Sequence, residues 1–358
     1  MKRILYTLTA MVLFCTCAYA QKGEKNYVIG FYNLENLFDT YDDPAKNDEE
    51  FLPEGKNKWT EAKYQKKLQN MAKVIRSMKE ENGAWHALLG VSEIENRLVL
   101  EDLVMEPQIA EANYQIVHYD GPDRRGVDVA LLYKPEVFRF IESESIPFTF
   151  EGSSIDWIQT QEERDYFRTR DILMVHGTID GEHFAIYVAH LPSRSGGKKG
   201  GNQLRDRGGE IMYEHAMKMQ EKYPGIKIVC MGDMNDNPTD TSMAEYLHGR
   251  EFKEDVTDKD FFSPFTSMLK AGFGSLAYQG VWSIYDLLLV NNALANPQEG
   301  TFGLRQLHKK GYYGRIYNPK FLTNQKGQYK CTPFRTFSNG AFIGGYSDHY
   351  PTYIVITK

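Results

Sequence analysis

The sequence predicts an α/β fold in which two layers of sheet lie between helices. Three observations lead there. Short β-like apolar runs recur along the chain, longer stretches with helical spacing interrupt them, and no repeat or low-complexity linker divides the sequence. That interleaving points to one layered unit rather than two separate domains.

The first twenty residues stand apart from the fold. Lys2 and Arg3 form a positive start, residues 4–17 are apolar, and Ala18 and Ala20 are the small residues three and one before Gln21. This is the layout of a cleaved signal peptide, residues 1–20, with the mature chain beginning at Gln21. The apolar run falls short of the roughly 20 residues a membrane span needs. Phe14 is too bulky to precede a lipidated cysteine at Cys15. The expectation is export, to the periplasm or the medium, with no stable membrane insertion and a single domain over residues 21–358.

The elements follow in order. Residues 27–33 read as a first strand, and an acidic loop with Pro and Gly fills 39–58. Thr60 caps a predicted helix to about residue 79, with Leu68, Met71, Ala72, Ile75 and Met78 spaced for one buried face. Residues 87–92 form the next strand, 98–112 a helix, and 114–118, 127–133 and 137–149 further strands. Two long runs at 170–179 and 182–190 flank Asp180-Gly181, a strong hairpin turn. A helix over 203–222 and strands at 226–231, 284–290 and 352–357 complete the set.

Charge and cysteines narrow the chemistry. The chain has 42 Lys and Arg against 48 Asp and Glu, a formal charge of −6, or −8 without Lys2 and Arg3. Affinity for a polyanion must therefore come from local basic segments. Cys230 lies in an apolar run and reads as a packed core residue, and two cysteines make no disulfide framework.

Polar residues gather where predicted strands end. Asn33 and Glu35 follow the first strand, Glu93 the second, and His190 ends a later one. Asp233 and Asn235 follow another within Gly232-Asp233-Met234-Asn235. Asp286 lies in Ser283-Ile284-Tyr285-Asp286, and Asp348 and His349 precede the last strand. Strand ends are where a rigid scaffold converges side chains. Each also has a plain structural alternative: a turn at Asp233 and Asn235, a helix N-terminus at Glu93, Glu95 and Asn96, a satisfied strand-end histidine at His190.

Taken together and in this order, Phe31-Tyr32-Asn33, Ser92-Glu93, His190, Gly232-Asp233-Met234-Asn235, Tyr285-Asp286 and Ser347-Asp348-His349-Tyr350-Pro351 resemble the endonuclease/exonuclease/phosphatase superfamily. The resemblance covers nearly the whole mature chain. It implies a four-layered sandwich of two mixed sheets flanked by helices, as in deoxyribonuclease I. It further implies Mg²⁺ or Mn²⁺ held by Glu93 with Asn33 and Asp348. His349 is then the histidine assisting in-line attack by water, Asp286 the acid that orients it, and Asp233 the residue handling a proton. Asn235 and His190 become donors to phosphoryl oxygens. Such a set suits a phosphodiester, whose charge must be neutralised while a water is aligned. Ser92 stands where many members have Gln, and Glu35 lies where some carry an extra acid near the metal.

Substrate contacts are sought in three places. The turn Asp123-Arg124-Arg125-Gly126 offers Arg125. A Gly-rich basic segment from Arg194 to Arg207 offers Arg194. Between Gly300 and Ser347 no acid occurs, while eight basic residues, Arg315 among them, interleave with aromatics such as Tyr312. Cations steer a polyanion and aromatic faces stack on bases, so the expected substrate is a phosphate ester, a nucleic acid first among them. Lipid head groups and small phosphate esters are the alternative, and a non-catalytic secreted binding protein of the same fold is a third reading. No protein partner is predicted. Gly-x-Ser-x-Gly and His-Glu-x-x-His are both absent, which removes the simplest serine-hydrolase and zinc-protease readings.

Overall fold

A computed structural model describes residues 24–358, apart from 152, 154, 156, 157, 195–200 and 339. The predicted signal peptide and the glycine-lysine part of the loop after Arg194 lie outside the described residues. Strands are β1 (Asn26–Leu37), β2 (His86–Ile94), β3 (Gln115–His118), β4 (Asp128–Tyr133), β5 (Phe138–Ile146), β6 (Ile172–Ile179), β7 (Glu182–His190), β8 (Lys227–Asp233) and β9 (Gly249–Arg250). They continue as β10 (Phe261–Phe262), β11 (Leu276–Tyr278), β12 (Val281–Ser283), β13 (Asp286–Asn291), β14 (Gly303–Leu304), β15 (Gly314–Ile316), β16 (Phe337–Ser338), β17 (Ala341–Phe342) and β18 (Thr352–Thr357). The main helices are α1 (Glu61–Asn82), α2 (Arg97–Met105), α3 (Gln161–Phe167) and α4 (Gly201–Lys222).

One sheet runs β14-β18-β1-β2-β4-β3, with β15 also on β18; the other runs β5-β6-β7-β8-β13-β10-β9. Both are mixed. β1 and β2 pair in parallel, as do β7 and β8, and their other neighbours are antiparallel. The central strands β1, β2, β8 and β13 are buried on both faces, which is why they read as near-continuous apolar runs instead of alternating.

The sheets meet face to face, β1 and β2 against β8 and β13. At Gly90 the approach is close: a Cβ there would lie 3.0 Å from the Met231 sulfur of the other sheet and 3.2 Å from Phe31. α1 covers the outer face of the first sheet with Leu68, Met71, Ala72, Ile75 and Met78, the face its spacing predicts, and stops at Gly83 in the left-handed conformation. α4 covers the second sheet with Met212, Ala216 and Met219. The result is the expected four-layered α/β sandwich of two mixed sheets between helices.

The differences are local. The predicted 98–112 helix is α2, ending at Met105, followed by a single 3-10 turn at Ala110–Ala112. Asn96 caps α2 by accepting from the Val99 N–H, so the helix-start reading of that segment holds for Asn96. α3, fastened by a Thr160/Glu163 capping box, was not predicted. Asp180 and Gly181 both take positive φ, as the predicted hairpin turn requires. Among the described residues no helix is long and apolar enough to cross a membrane.

Candidate active site

Strand register builds the site. His190 on β7 and Asp286 on β13 are both register partners of Asp233 on β8, so the three form one row across adjacent strands. Facing them from the other sheet, Asn33 and Ser92 pair on β1 and β2. Both these strands shift register just beyond, and the bulged residue of β2 is Glu93. A bulge re-aims the side chain it carries. Here it swings Glu93 to the row: Asn33 Nδ2 donates to Glu93 Oε1 at 3.1 Å and to Asp233 Oδ2 at 3.0 Å, stitching one sheet to the other.

Backbone strain gathers here as well. Glu35, Asn36, Glu93 and Asn235 all hold φ between 49° and 57°, a region non-glycine residues seldom occupy. Compensating bonds hold them there. The Asn36 N–H donates to Glu93 Oε2 at 3.0 Å, and the Asn235 N–H donates to Asp233 Oδ1 at 3.0 Å. The turn reading of Asp233 and Asn235 is therefore correct and coexists with their place in the site.

His349 enters from the loop before β18. Its Nδ1 lies 2.8 and 3.0 Å from the two Asp286 oxygens, which fixes Nδ1 as a donor and turns Nε2 inward. Nε2 lies 3.8 Å from Asp233 Oδ2 and 3.9 Å from Asp348 Oδ1. Ser275 adds a support that sequence reading missed: its hydroxyl donates to Asp286 Oδ2 at 2.5 Å.

Burial and neighbouring charges set the protonation states. Burial pushes Asp233 up to about 7, aided by Asp286 and Glu93 and opposed by His349. Burial would lower His349, but Asp286 and Asp233 outweigh it and hold the imidazolium well above the ordinary histidine range. Burial and the charges of Arg170 and Arg125 push His190 well down, leaving it neutral. One charged histidine, one neutral histidine and one carboxylate poised near neutrality thus share the site.

A divalent cation suits these residues. Carboxylate oxygens of Glu93 and Asp233 and a ring nitrogen of His190 lie within 4.8 Å of one another, and hard oxygen donors favour Mg²⁺ or Mn²⁺. Of the expected ligands Glu93, Asn33 and Asp348, Glu93 belongs to this group. Asn33 turns its amide nitrogen to the acids because its oxygen accepts the Glu35 N–H at 2.8 Å. Asp348 is drawn to Arg335, 3.0 Å from its Oδ2.

Arg335 also bonds Glu35 Oε1 at 2.9 Å, and the Thr336 N–H donates to Glu35 Oε2 at 2.6 Å. Behind them Lys67, fully buried on α1, donates to Thr336 Oγ1 at 2.5 Å and to the Tyr346 carbonyl at 2.6 Å. Burial pushes Glu35 up to about 7 and Lys67 down to about 8. Lys67 had a visible signal, a lysine set between Tyr64, Leu68 and Met71 on the apolar face of α1. Ser275 had none.

The expected substrate contacts divide. Arg125 lies on the Asp123 turn with its guanidinium largely exposed, near enough for its charge to act on His190. Arg170 clamps that turn, bonding Asp123 at 2.6 Å and the carbonyls of His190 and Leu191. Arg194 is instead held by Asp236, Asp240 and the Asn235 carbonyl, and it packs over Tyr285. It braces the Asn235 loop. Asn235 itself donates to the Leu191 carbonyl at 2.9 Å, committing one amide hydrogen.

Arg315 pairs with Glu81 at the end of α1, and Tyr312 packs on Phe273 and His308. Neither is brought to the catalytic cluster, because the stretch around them is used as edge strand β15 and its packing. Cys230 is fully buried, and burial pushes its thiol well up, in keeping with a core role.

The sequence matches the Endonuclease/Exonuclease/phosphatase family over residues 28–358. Comparison with curated proteins finds no match. Among solved structures, the chain is similar to an endonuclease/exonuclease/phosphatase family protein from Bacteroides thetaiotaomicron, at 12% identity and TM-score 0.54 over 93% of this chain and 95% of that one. It is similar to D. rerio TDP2 complexed with a single-strand DNA product, at 14% identity and TM-score 0.52 over 93% and 99%. It is also similar to a mannosyl-6-phosphatase from Bacteroides thetaiotaomicron VPI-5482, at 12% identity and TM-score 0.52 over 92% and 99%. At such identities these structures speak for the fold, and the family match speaks for descent. With strand ends, acids and histidines arranged as described, the chain belongs to the endonuclease/exonuclease/phosphatase family, as a hydrolase of phosphate esters.

Proposed function

We propose that this protein is an exported, divalent-metal-dependent phosphodiesterase acting on nucleic acid, cutting the P–O bond by in-line attack of water. The observation that carries the reading is the row His190, Asp233 and Asp286 on one sheet, facing Asn33 and Glu93 on the other, with His349 locked to Asp286. Glu93 would hold the cation, with Asp233 and His190 beside it. The cation, Mg²⁺ or Mn²⁺, would supply charge neutralisation at the non-bridging oxygens.

The protein residues do the rest. Asp233 accepts the proton of the attacking water, a task matched to a carboxylate poised near neutrality. His349, held as imidazolium by Asp286, presents Nε2–H to the phosphoryl oxygen where charge grows. Asn235 and Arg125 help orient the phosphate. Export rests on the sequence of residues 1–20, which also sets the proposed mature start at Gln21.

A second reading, a phosphatase of small phosphate esters, is favoured by one observation. Two arginines of the basic stretch between Gly300 and Ser347 are matched internally, Arg315 by Glu81 and Arg335 by Glu35 and Asp348, which takes both from the field that a polyanion would meet. Purified mature protein assayed with Mg²⁺, Mn²⁺, Ca²⁺ or EDTA on DNA, RNA, sphingomyelin, inositol phosphates, sugar phosphates and bis-p-nitrophenyl phosphate separates the readings, with His349→Ala as control. Metal-dependent cutting of DNA or RNA that weakens steeply with salt supports the nuclease. Cutting confined to monoesters refutes it.

A further inference from the structure

Beside the catalytic cluster lies a cavity of about 610 Å³, within the roughly 300–1,000 Å³ of ordinary ligand sites. Two walls bound it. One is the β11–β12 hairpin, turned at Gln279-Gly280; the other comes from the chain between Asn324 and Ile343. Arg335 and Asp348, which neighbours His349, are part of its lining.

Both walls are tied to catalytic groups. Ser275, at the base of the hairpin, bonds Asp286 through its hydroxyl and the Tyr350 N–H through its carbonyl, while Trp282 stacks on Tyr350. On the other side Arg335 bonds Glu35 and Asp348. A group seated here is therefore positioned relative to a phosphate at His349.

The lining states the chemistry of the occupant. Among the described residues its only charges, Arg335 and Asp348, neutralise one another. The rest is mixed: apolar surface from Pro333, Phe337 and Ile343, the amides of Gln279, Asn324 and Gln328, and one exposed tyrosine from each wall, Tyr278 and Tyr329. A lipid chain would offer the three amides no hydrogen-bond partner. A hexose site would be expected to offer free carboxylates to vicinal hydroxyls, and Asp348 is already engaged. Flat faces between tyrosine rings with hydrogen-bonding edges suit a nucleobase.

We propose that this cavity receives the nucleoside adjoining the scissile phosphate, its base against Tyr278 and Tyr329. The proposal rests on the phosphodiesterase reading above and adds the specificity element to it. The test compares thymidine 5′-p-nitrophenyl phosphate with methyl p-nitrophenyl phosphate, which carries no base, in wild type, Tyr278→Ala, Tyr329→Ala and Tyr278→Phe. The wild-type preference in kcat/KM for the thymidine ester is expected to fall about 10- to 100-fold in each alanine variant and to survive in Tyr278→Phe. A preference unchanged by both alanine variants overturns the pocket while leaving the phosphodiesterase intact. If wild type cleaves neither ester, the phosphodiesterase reading fails, and calorimetric binding of thymidine 5′-monophosphate decides the pocket separately. Binding lost in Tyr278→Ala and Tyr329→Ala but kept in Tyr278→Phe supports it; no binding, or equal binding in all variants, overturns it.

Discussion

His349 Nδ1 sits 2.8 Å from Asp286 Oδ2, joining the loop before β18 of one sheet to β13 of the other. The pair works as a unit, because the carboxylate sets both the orientation and the charge of the ring. Asp286→Asn should lower kcat about 100- to 1,000-fold with KM changed only a few-fold. His349→Ala should fall as far, and the double variant little further, since residues acting as a unit are not additive. Steady-state kinetics on the three variants checks this; independent, multiplying losses would refute the coupling.

Asp233 predicts the pH profile. Its carboxyl is raised to about 7 by burial, and it works as a base only when ionised. Activity should therefore rise with pH through an acid limb lying above the ordinary carboxylate range. A cation at Glu93 favours the ionised form, so raising Mg²⁺ should move that limb to lower pH. Profiles of kcat/KM at limiting and saturating metal test the sign. A limb that stays put at both would remove Asp233 from this role.

Two arginines nominated by sequence should behave differently. Arg125→Ala removes an exposed cation near His190, so KM should rise about tenfold with the melting temperature kept. Arg194→Ala strips a partner from buried Asp236 and frees the Asn235 loop, and it should cost about 1–3 kcal/mol of stability. Thermal melts alongside kinetics distinguish them. Equal effects on stability would mean that Arg125 is also a brace.

His86 predicts an acid weakness unrelated to catalysis. It is fully buried, neither ring nitrogen has a hydrogen-bond partner, and burial pushes its pKa down to about 3. The unfolded chain takes up this proton below about pH 6.5 and the folded chain does not, so stability falls as pH drops from 6.5 towards 3. Between pH 7 and 5 the loss from this residue should be about 2 kcal/mol. Urea melts of wild type and His86→Leu should diverge in slope over that interval, the variant being flatter. Parallel curves would show that His86 is not the source.

The fold was legible because burial dictates apolar runs. β7 and β18 fall where apolar runs place them, β7 after its predicted turn, and α1 buries the predicted stripe. The catalytic acids were legible because strand ends are short in sequence and polar against apolar runs. What stayed hidden depends on long-range partners. Nothing in a local pattern says that Arg335 will reach Glu35, or that Arg315 will meet Glu81. Basic residues counted along a segment look like a surface field, yet folding assigns these two arginines private acids. Asn33 shows the same limit at atomic scale: its identity was readable, but which end of its amide faces the acids was decided by the Glu35 backbone.

The close approach at Gly90 carries a consequence for how this catalyst can fail. Reactive groups sit on two separate slabs of protein, and the gap between the slabs is set in part by hydrogen atoms on one α-carbon against one sulfur. A single added methyl deep in the interior acts as a shim. Met231 must then give way, and where it cannot, the spacing that holds Asn33 and Asp233 at 3.0 Å is disturbed without either being touched. Loss of turnover in a natural variant need not map to the cleft, and the interior spacing of this sandwich is part of its catalytic tolerance.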